Sequence, residues 1–322
     1  QSFHDELYRC EARDFTVPCR VMARLAYTWL MDMCDIWDSR FAERSPMFEP
    51  LRPLALALAG DTWPAPERLN ELALELGVVS GGGQPLRFVN VTGKDAPKAA
   101  DYELRIHDEG IVPMRVANWH DFFNAVVWLT FPHIKSALNR GHARELRSNL
   151  ASTRNRRRDA LTLFDESGVL VFSCSREVLD GLRAFAWGRV LRDARNTFQT
   201  TTRCLIVGHA LYEKALSPYI GMTGHALLLS TGNVMDVNTK AASGSSPGIA
   251  HYDMAAQALL AEIVEPRDLS PLPVLGVPGW WEANRDAAFY DNVDYFRAGR
   301  TRHPGPSTEP GGNQAGRAEG AG

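Results

Sequence analysis

The sequence predicts an α+β fold: a helical N-terminal layer and buried central helices packed on a small mixed β-sheet. Three observations carry that expectation. Residues 118–142, NWHDFFNAVVWLTFPHIKSALNRGH, form the most apolar helical stretch in the chain. The short segments LRFVNV (86–91) and YELRI (102–106) alternate with the period of half-buried strands. RCLIV at 203–207 runs through Gly208 directly into HALYEKAL, a buried strand leading into a helix.

The central helix starts at Asn118, whose amide oxygen suits the free N–H groups of a first turn. His120 and Asn124 then lie one turn apart, with Asp121 beside both. Trp119, Phe122, Phe123 and the run Ala125 to Leu129 make the rest apolar. Such a helix is normally buried, and a buried polar group left unpaired costs about 1–3 kcal/mol. His120, Asp121 and Asn124 therefore need partners: each other, other side chains, a metal or a ligand. Asp121 also has a structural reading, as the acid of a capping box with Asn118. Pro132 lacks an N–H and ends or kinks this helix, so a second begins near His133.

Length and composition bound the rest. The chain has 322 residues, 45% hydrophobic, with a net charge of −3, which fits one main domain and shows no basic excess for nucleic acid. Cys10, Cys19, Cys34, Cys174 and Cys204 are odd in number and form no C-x-x-C pair, which disfavours a disulfide framework and points to a reducing, cytoplasmic location. No apolar run is long enough for a membrane span. The first residue is Gln rather than Met, which leaves a removed targeting segment open.

In chain order, residues 1–79 read as helical, with helices at Val17–Trp37 and Ala65–Leu76 and Gly77 closing the second. SGGGQ at 80–84 is a turn, residues 86–116 read as strands, and DEG at 108–110 turns between them, with His107 solvated at its edge. Asn90-Val91-Thr92 matches a glycosylation sequon that has no meaning in a reducing compartment. Arg154, Arg156, Arg157 and Arg158 precede a predicted hairpin, Ala160–Phe164 and Val169–Phe172 around DESG, with Asp159, Leu161 and Leu163 on one face. Arg176–Arg192 is helical. His209, Tyr212 and Glu213 share one face of the helix after Gly208, whose N-terminus suits an anion. His225 precedes the strand ALLLS, 250–264 is an apolar helix, and PLPVLGVPGWW at 271–281 starts an aromatic strap whose prolines exclude a regular element. From about 299 the composition is that of a disordered tail.

Four stretches together resemble a bacterial family known as domain of unknown function 3025: NWHDFFNAVVWLTFP (118–132), RRRDALTLFDESGVL (156–170), VGHALYEKAL (207–216) and PLPVLGVPGWW (271–281). The resemblance covers roughly residues 20–298. It implies a soluble or peripheral bacterial protein and carries over no site residues.

Two functions fit these residues. The first is a metal-assisted hydrolase of an anionic, phosphorylated small substrate. His209 and Glu213, with His120, would ligate a divalent ion. His120, Asp121, Asn124 and Asp159 would form the catalytic group, with Asp121 or Glu213 as general base. Arg156, Arg157, Arg158 and Tyr212 would hold the substrate, though such an arginine run is more often a solvated face. A metal-free variant uses His120 as base, and Cys174 and Cys204 read as core thiols. The second function is a binding or scaffold protein whose His/Asp/Asn cluster is a satisfied buried network.

Overall fold

In a computed structural model, the structure describes residues 36–91, 99–148, 155–231 and 248–299. The Val17–Trp37 helix, Cys10, Cys19, Cys34, Thr92, Arg154 and the tail from residue 300 fall wholly or largely outside them. Helices α1 (Arg52–Ala57) and α2 (Pro66–Glu75) follow short 3₁₀ turns in the N-terminal layer. Pro66 opens α2 and Gly77, at φ 63°, closes it. Trp37, Phe41, Phe48 and Trp63 from this layer pack on Trp119, Phe122 and Phe123 of the central helix.

Strand β1 (Arg87–Val91) pairs in parallel with β2 (Ile111–Arg115), and α3 (Ala99–Glu109) crosses between them. YELRI is therefore helix and not strand. Two parallel neighbours need a crossover, which the turn expected at DEG could not supply. Ile106 is buried while Asp108 and Glu109 face solvent, and Gly110 at φ 69° is the helix C-cap. His107 sits in the last turn of α3 with only 16% of its side chain exposed, bonded to Asp108. It is not the solvated turn residue expected.

Helices α4 (Trp119–Thr130) and α5 (Pro132–Arg147) follow. Asn118 caps α4 by accepting from Asp121 N–H at 3.0 Å. The reciprocal half of the capping box is absent, because the Asp121 carboxylate accepts from Arg115 instead. Pro132 occupies the first position of α5. The α5 N-terminus is capped by a remote residue: the fully buried Asp253 carboxylate accepts from His133 and Ile134 N–H at 2.9 and 2.8 Å.

The predicted hairpin is the largest departure. Residues 156–167 form helix α6 (Arg156–Ser167), leading directly into β3 (Gly168–Ser173). Ala160, Leu161, Phe164 and Ser167 are buried, a helical set, whereas Asp159 is exposed and Leu163 half-buried, so Asp159, Leu161 and Leu163 share no face. Asn155 caps α6 by accepting from Arg157 and Arg158 N–H.

The remaining elements are α7 (Arg176–Arg183), α8 (Arg195–Thr201), β4 (Thr202–Ile206), α9 (His209–Ala215), β5 (Thr223–Ser230), α10 (Ile249–Gln257) and β6 (Ser270–Pro273). Phe185, at φ 57°, interrupts the helix expected over 176–192. The sheet order is β4-β3-β5-β6, mixed, with β3 parallel to β5 and antiparallel to β4. β3 is buried at every position, as a central strand covered on both faces must be. The prolines of the strap do permit a strand: Pro271 and Pro273 lie in the edge strand β6. Cys204 lies in β4, but Cys174 is exposed and is no core thiol.

On β5, His225 Nδ1 lies 2.8 Å from Ser167 Oγ. Burial, and then the Lys214 charge, lower its pKa. The unfolded chain therefore takes the proton first as pH falls, so this contribution to stability is present above the ordinary imidazole value of about 6.5 and is lost below it. Urea unfolding between pH 7 and 5 is expected to show a shallower acid-side loss in His225→Gln than in wild type. Identical slopes in the two proteins would rule this out.

Candidate metal centre

Helices α3, α4, α5 and α6, strands β1 and β2 and the start of α9 enclose a cavity of about 420 Å³. Each helix supplies residues at its own period. Arg158, Thr162, Asp165 and Glu166 come from α6 at positions i, i+4, i+7 and i+8, which is one face. His120 and Asn124 come from α4, Tyr102 and Glu103 from α3, and His142 from α5.

At one side of the cavity His120 Nε2 lies 3.1 Å from His209 Nε2, and His209 Nε2 lies 3.6 Å from Glu166 Oε2. One ligand atom from each of these residues falls within 4.8 Å of the others. A tetrahedral centre with bonds of about 2.0–2.1 Å spaces its donors by about 3.3 Å, between the two measured separations. The donor set, two imidazoles and a carboxylate with a fourth side open to a cavity, matches catalytic rather than structural zinc sites.

The surroundings reinforce the arrangement. Glu213 accepts from, or shares a proton with, His120 Nδ1 at 2.9 Å, which turns Nε2 toward the centre. Behind His209 stands Asp165, whose Oδ2 is 3.9 Å from Nδ1; that nitrogen is buried and makes no well-formed hydrogen bond among the described residues. Asp165 is itself held by Lys135 Nζ at 2.5 Å.

The titration of these groups follows from their positions. Hydrogen bonding to Glu213 raises His120 against the opposing effect of burial. Burial lowers His209 to about 3 and raises Glu166. Burial alone would raise Asp165, but the Lys135 charge and the neighbouring imidazoles hold it below the usual carboxylate range. Carboxylates of Glu166, Glu213 and Asp165 thus stand around the two imidazoles, with Lys135 paired to Asp165.

The structure brings some of the expected residues together and separates others. His120, Asp121, Asn124, Arg158 and His209 line the cavity. Asp121 is gripped by the Arg115 backbone N–H and guanidinium at 2.7–2.9 Å, which occupies it as a base. Glu213 stands behind His120 instead of beside His209. Tyr212 is core: it is fully buried, donates to Ile206 O and stacks on Phe48 and Phe123. Arg156 pairs with Glu265 and Arg157 with Glu145, and neither of them nor Asp159 lines the cavity. Sequence reasoning missed Glu166, Asp165, Lys135, His142, Tyr102 and Glu103. The signal for Glu166 and Asp165 was present, since a helical reading of 156–167 places both on the Arg158 face.

Fold and site together define an α+β protein with a His/Glu/His group able to hold a metal ion at the wall of a polar cavity. The chain belongs to the family described as "Protein of unknown function (DUF3025)", whose profile matches residues 86–300. No curated protein and no solved structure gives a match. Among the described residues no helix is long and apolar enough to cross a membrane.

Proposed function

We propose that the protein is a metal-assisted hydrolase acting on a small anionic substrate. The observation that carries this reading is the meeting of His120, Glu166 and His209, from three separate elements, at a cavity large enough for a small molecule. A divalent ion held there supplies Lewis-acid polarisation and an activated water. Glu213 orients His120, and Asp165 stands behind His209. Arg158, exposed at the cavity rim and without an ion pair among the described residues, takes the substrate anion. Burial of His209 keeps its imidazole neutral, the form a metal requires.

Calorimetric titration of purified, chelator-treated protein with zinc and manganese tests this. One ion per chain is expected, with binding lost in Glu166→Ala and His209→Ala and weakened by about 10–100-fold in Glu213→Gln. Unchanged affinity in all three variants, or no uptake of either ion, removes the metal. Zinc-loaded protein should then hydrolyse an anionic ester, with Arg158→Ala raising KM more than it lowers kcat.

A second reading, a non-enzymatic protein whose polar cluster fixes packing, is favoured by one observation: Lys135 and Asp165 satisfy each other inside the core. On that reading the titration gives no uptake.

A further inference from the structure

We propose that His142 is a further catalytic residue of this cavity, the acid that gives a proton to the leaving oxygen, and that the natural substrate departs as an aliphatic alcohol. The assignment rests on the hydrolase reading and adds to it a residue and a class of leaving group. His142 is only 6% exposed and lines the cavity. Neither of its ring nitrogens has a hydrogen-bond or ion-pair partner among the described residues, and neither is sealed off as His209 Nδ1 is. A buried histidine kept for packing is bonded, because an unpaired polar group in the interior costs free energy. This imidazole is instead left open to what the cavity holds.

The other acids and bases of the wall are engaged. Asp121 is held by Arg115 and Asp165 by Lys135, Glu103 accepts from Asn139 at 2.8 Å, and His120, Glu166 and His209 form the ion site. Tyr102 is a phenol that burial above all makes a still weaker acid.

Gly141 fixes where the imidazole stands. A Cβ there would lie 2.8 Å from Leu161 Cδ1, so α5 and α6 touch at this turn. His142 is thereby set beside the middle of the α6 face that runs from Arg158 to Glu166. The rise from i to i+8 along that face is about 12 Å. An ester reaching from the ion site toward Arg158 passes the imidazole.

In a phosphate monoester, a water oxygen bonds to phosphorus and sheds one proton to solvent. The P–O bond to the alcohol breaks, its electron pair stays on the leaving oxygen, and the His142 imidazolium supplies that oxygen with a proton. Solvent then reprotonates His142. A nitrophenolate leaves without a proton, whereas an aliphatic alkoxide is too basic to do so. An acid held free in the wall serves the second kind of leaving group.

Benzyl phosphate and p-nitrophenyl phosphate, similar in size, form the probe pair, each assayed with the zinc-loaded full chain. Wild type should turn over the two with kcat values within about tenfold of each other. His142→Gln should lower kcat for benzyl phosphate by about 100-fold or more and for p-nitrophenyl phosphate by less than about tenfold, with zinc affinity unchanged. A structural role would slow both esters alike. Equal losses on the two, no loss, a fall in zinc affinity, or a wild type that already strongly prefers the nitrophenyl ester overturns the proposal. The wild-type comparison holds even where the variant does not fold. Failure of the His142 assignment alone leaves p-nitrophenyl phosphate hydrolysis in place. Turnover of neither ester overturns the assignment and the hydrolase reading together, and the zinc titration then tells whether the ion site survives.

Discussion

Replacing Lys135 with methionine will lower the stability by about 3–5 kcal/mol, the cost of leaving a buried charge without its partner. The Lys135 side chain is 4% exposed and that of Asp165 15%, with 2.5 Å between them. The ammonium also lies 5.3 Å over the Trp128 ring, which a methionine can fill without a void. What the substitution removes is therefore charge and hydrogen bonding more than packing. Asp165 would remain as a carboxylate beside His209 without its ammonium partner, and protonating it or holding it unpaired both cost free energy. Urea unfolding of Lys135→Met at pH 7 reads the effect. The double variant Lys135→Met/Asp165→Leu should recover a large part of the loss, because an apolar pair of similar volume can replace a buried ion pair. A single-variant loss under about 1 kcal/mol would show that the pair is solvated in solution.

Gly208→Ala is expected to damage both stability and metal uptake. A Cβ at this position would stand 2.4 Å from Ser167 Cα and 2.5 Å from the backbone nitrogens of Ser167 and Gly168. All three are main-chain atoms, so no side chain can swing aside. The close approach is itself hydrogen-bonded, since Val207 and Gly208 N–H both donate to Gly168 O. His209 follows Gly208 and Glu166 precedes Ser167, so this contact sets the separation of two of the candidate ligands. Overpacking in a close-packed core costs about 1–3 kcal/mol, and a main-chain clash belongs at the upper end. The separation of His209 from Glu166 should weaken zinc binding by about tenfold or more. Gly60→Ala is the control, because its Cβ would meet nothing within 4 Å. Wild-type zinc affinity in Gly208→Ala would mean that the two ligands are positioned by something other than this contact.

Much of the fold was legible in the chain because the signals were local. Asn118 caps α4, Pro132 opens α5, and the RCLIV-to-HALYEKAL passage is β4 running through Gly208 into α9. Each rests on a side-chain oxygen, a missing N–H or a missing Cβ that acts within a few residues. The two misread segments fail for a common reason. YELRI and ALTLF alternate over five residues, too short a window to separate period 2 from period 3.6. Three arginines in the first turn of α6 also run against the helix dipole and hide its start.

The sequence alone therefore determined the buried α4 helix, the β4–α9 passage and the need of His120, Asp121 and Asn124 for partners. It could not name those partners, because pairing across the chain depends on how elements dock. His120 meets Glu213 and His209 from positions 93 and 89 residues away, and Asp253 caps a helix 119 residues before it. Only tertiary structure decided that Glu166 faces the two imidazoles while Glu213 stands behind one of them. The physical reason lies in packing: Gly208 lets α9 approach the end of α6, and that approach selects the acid.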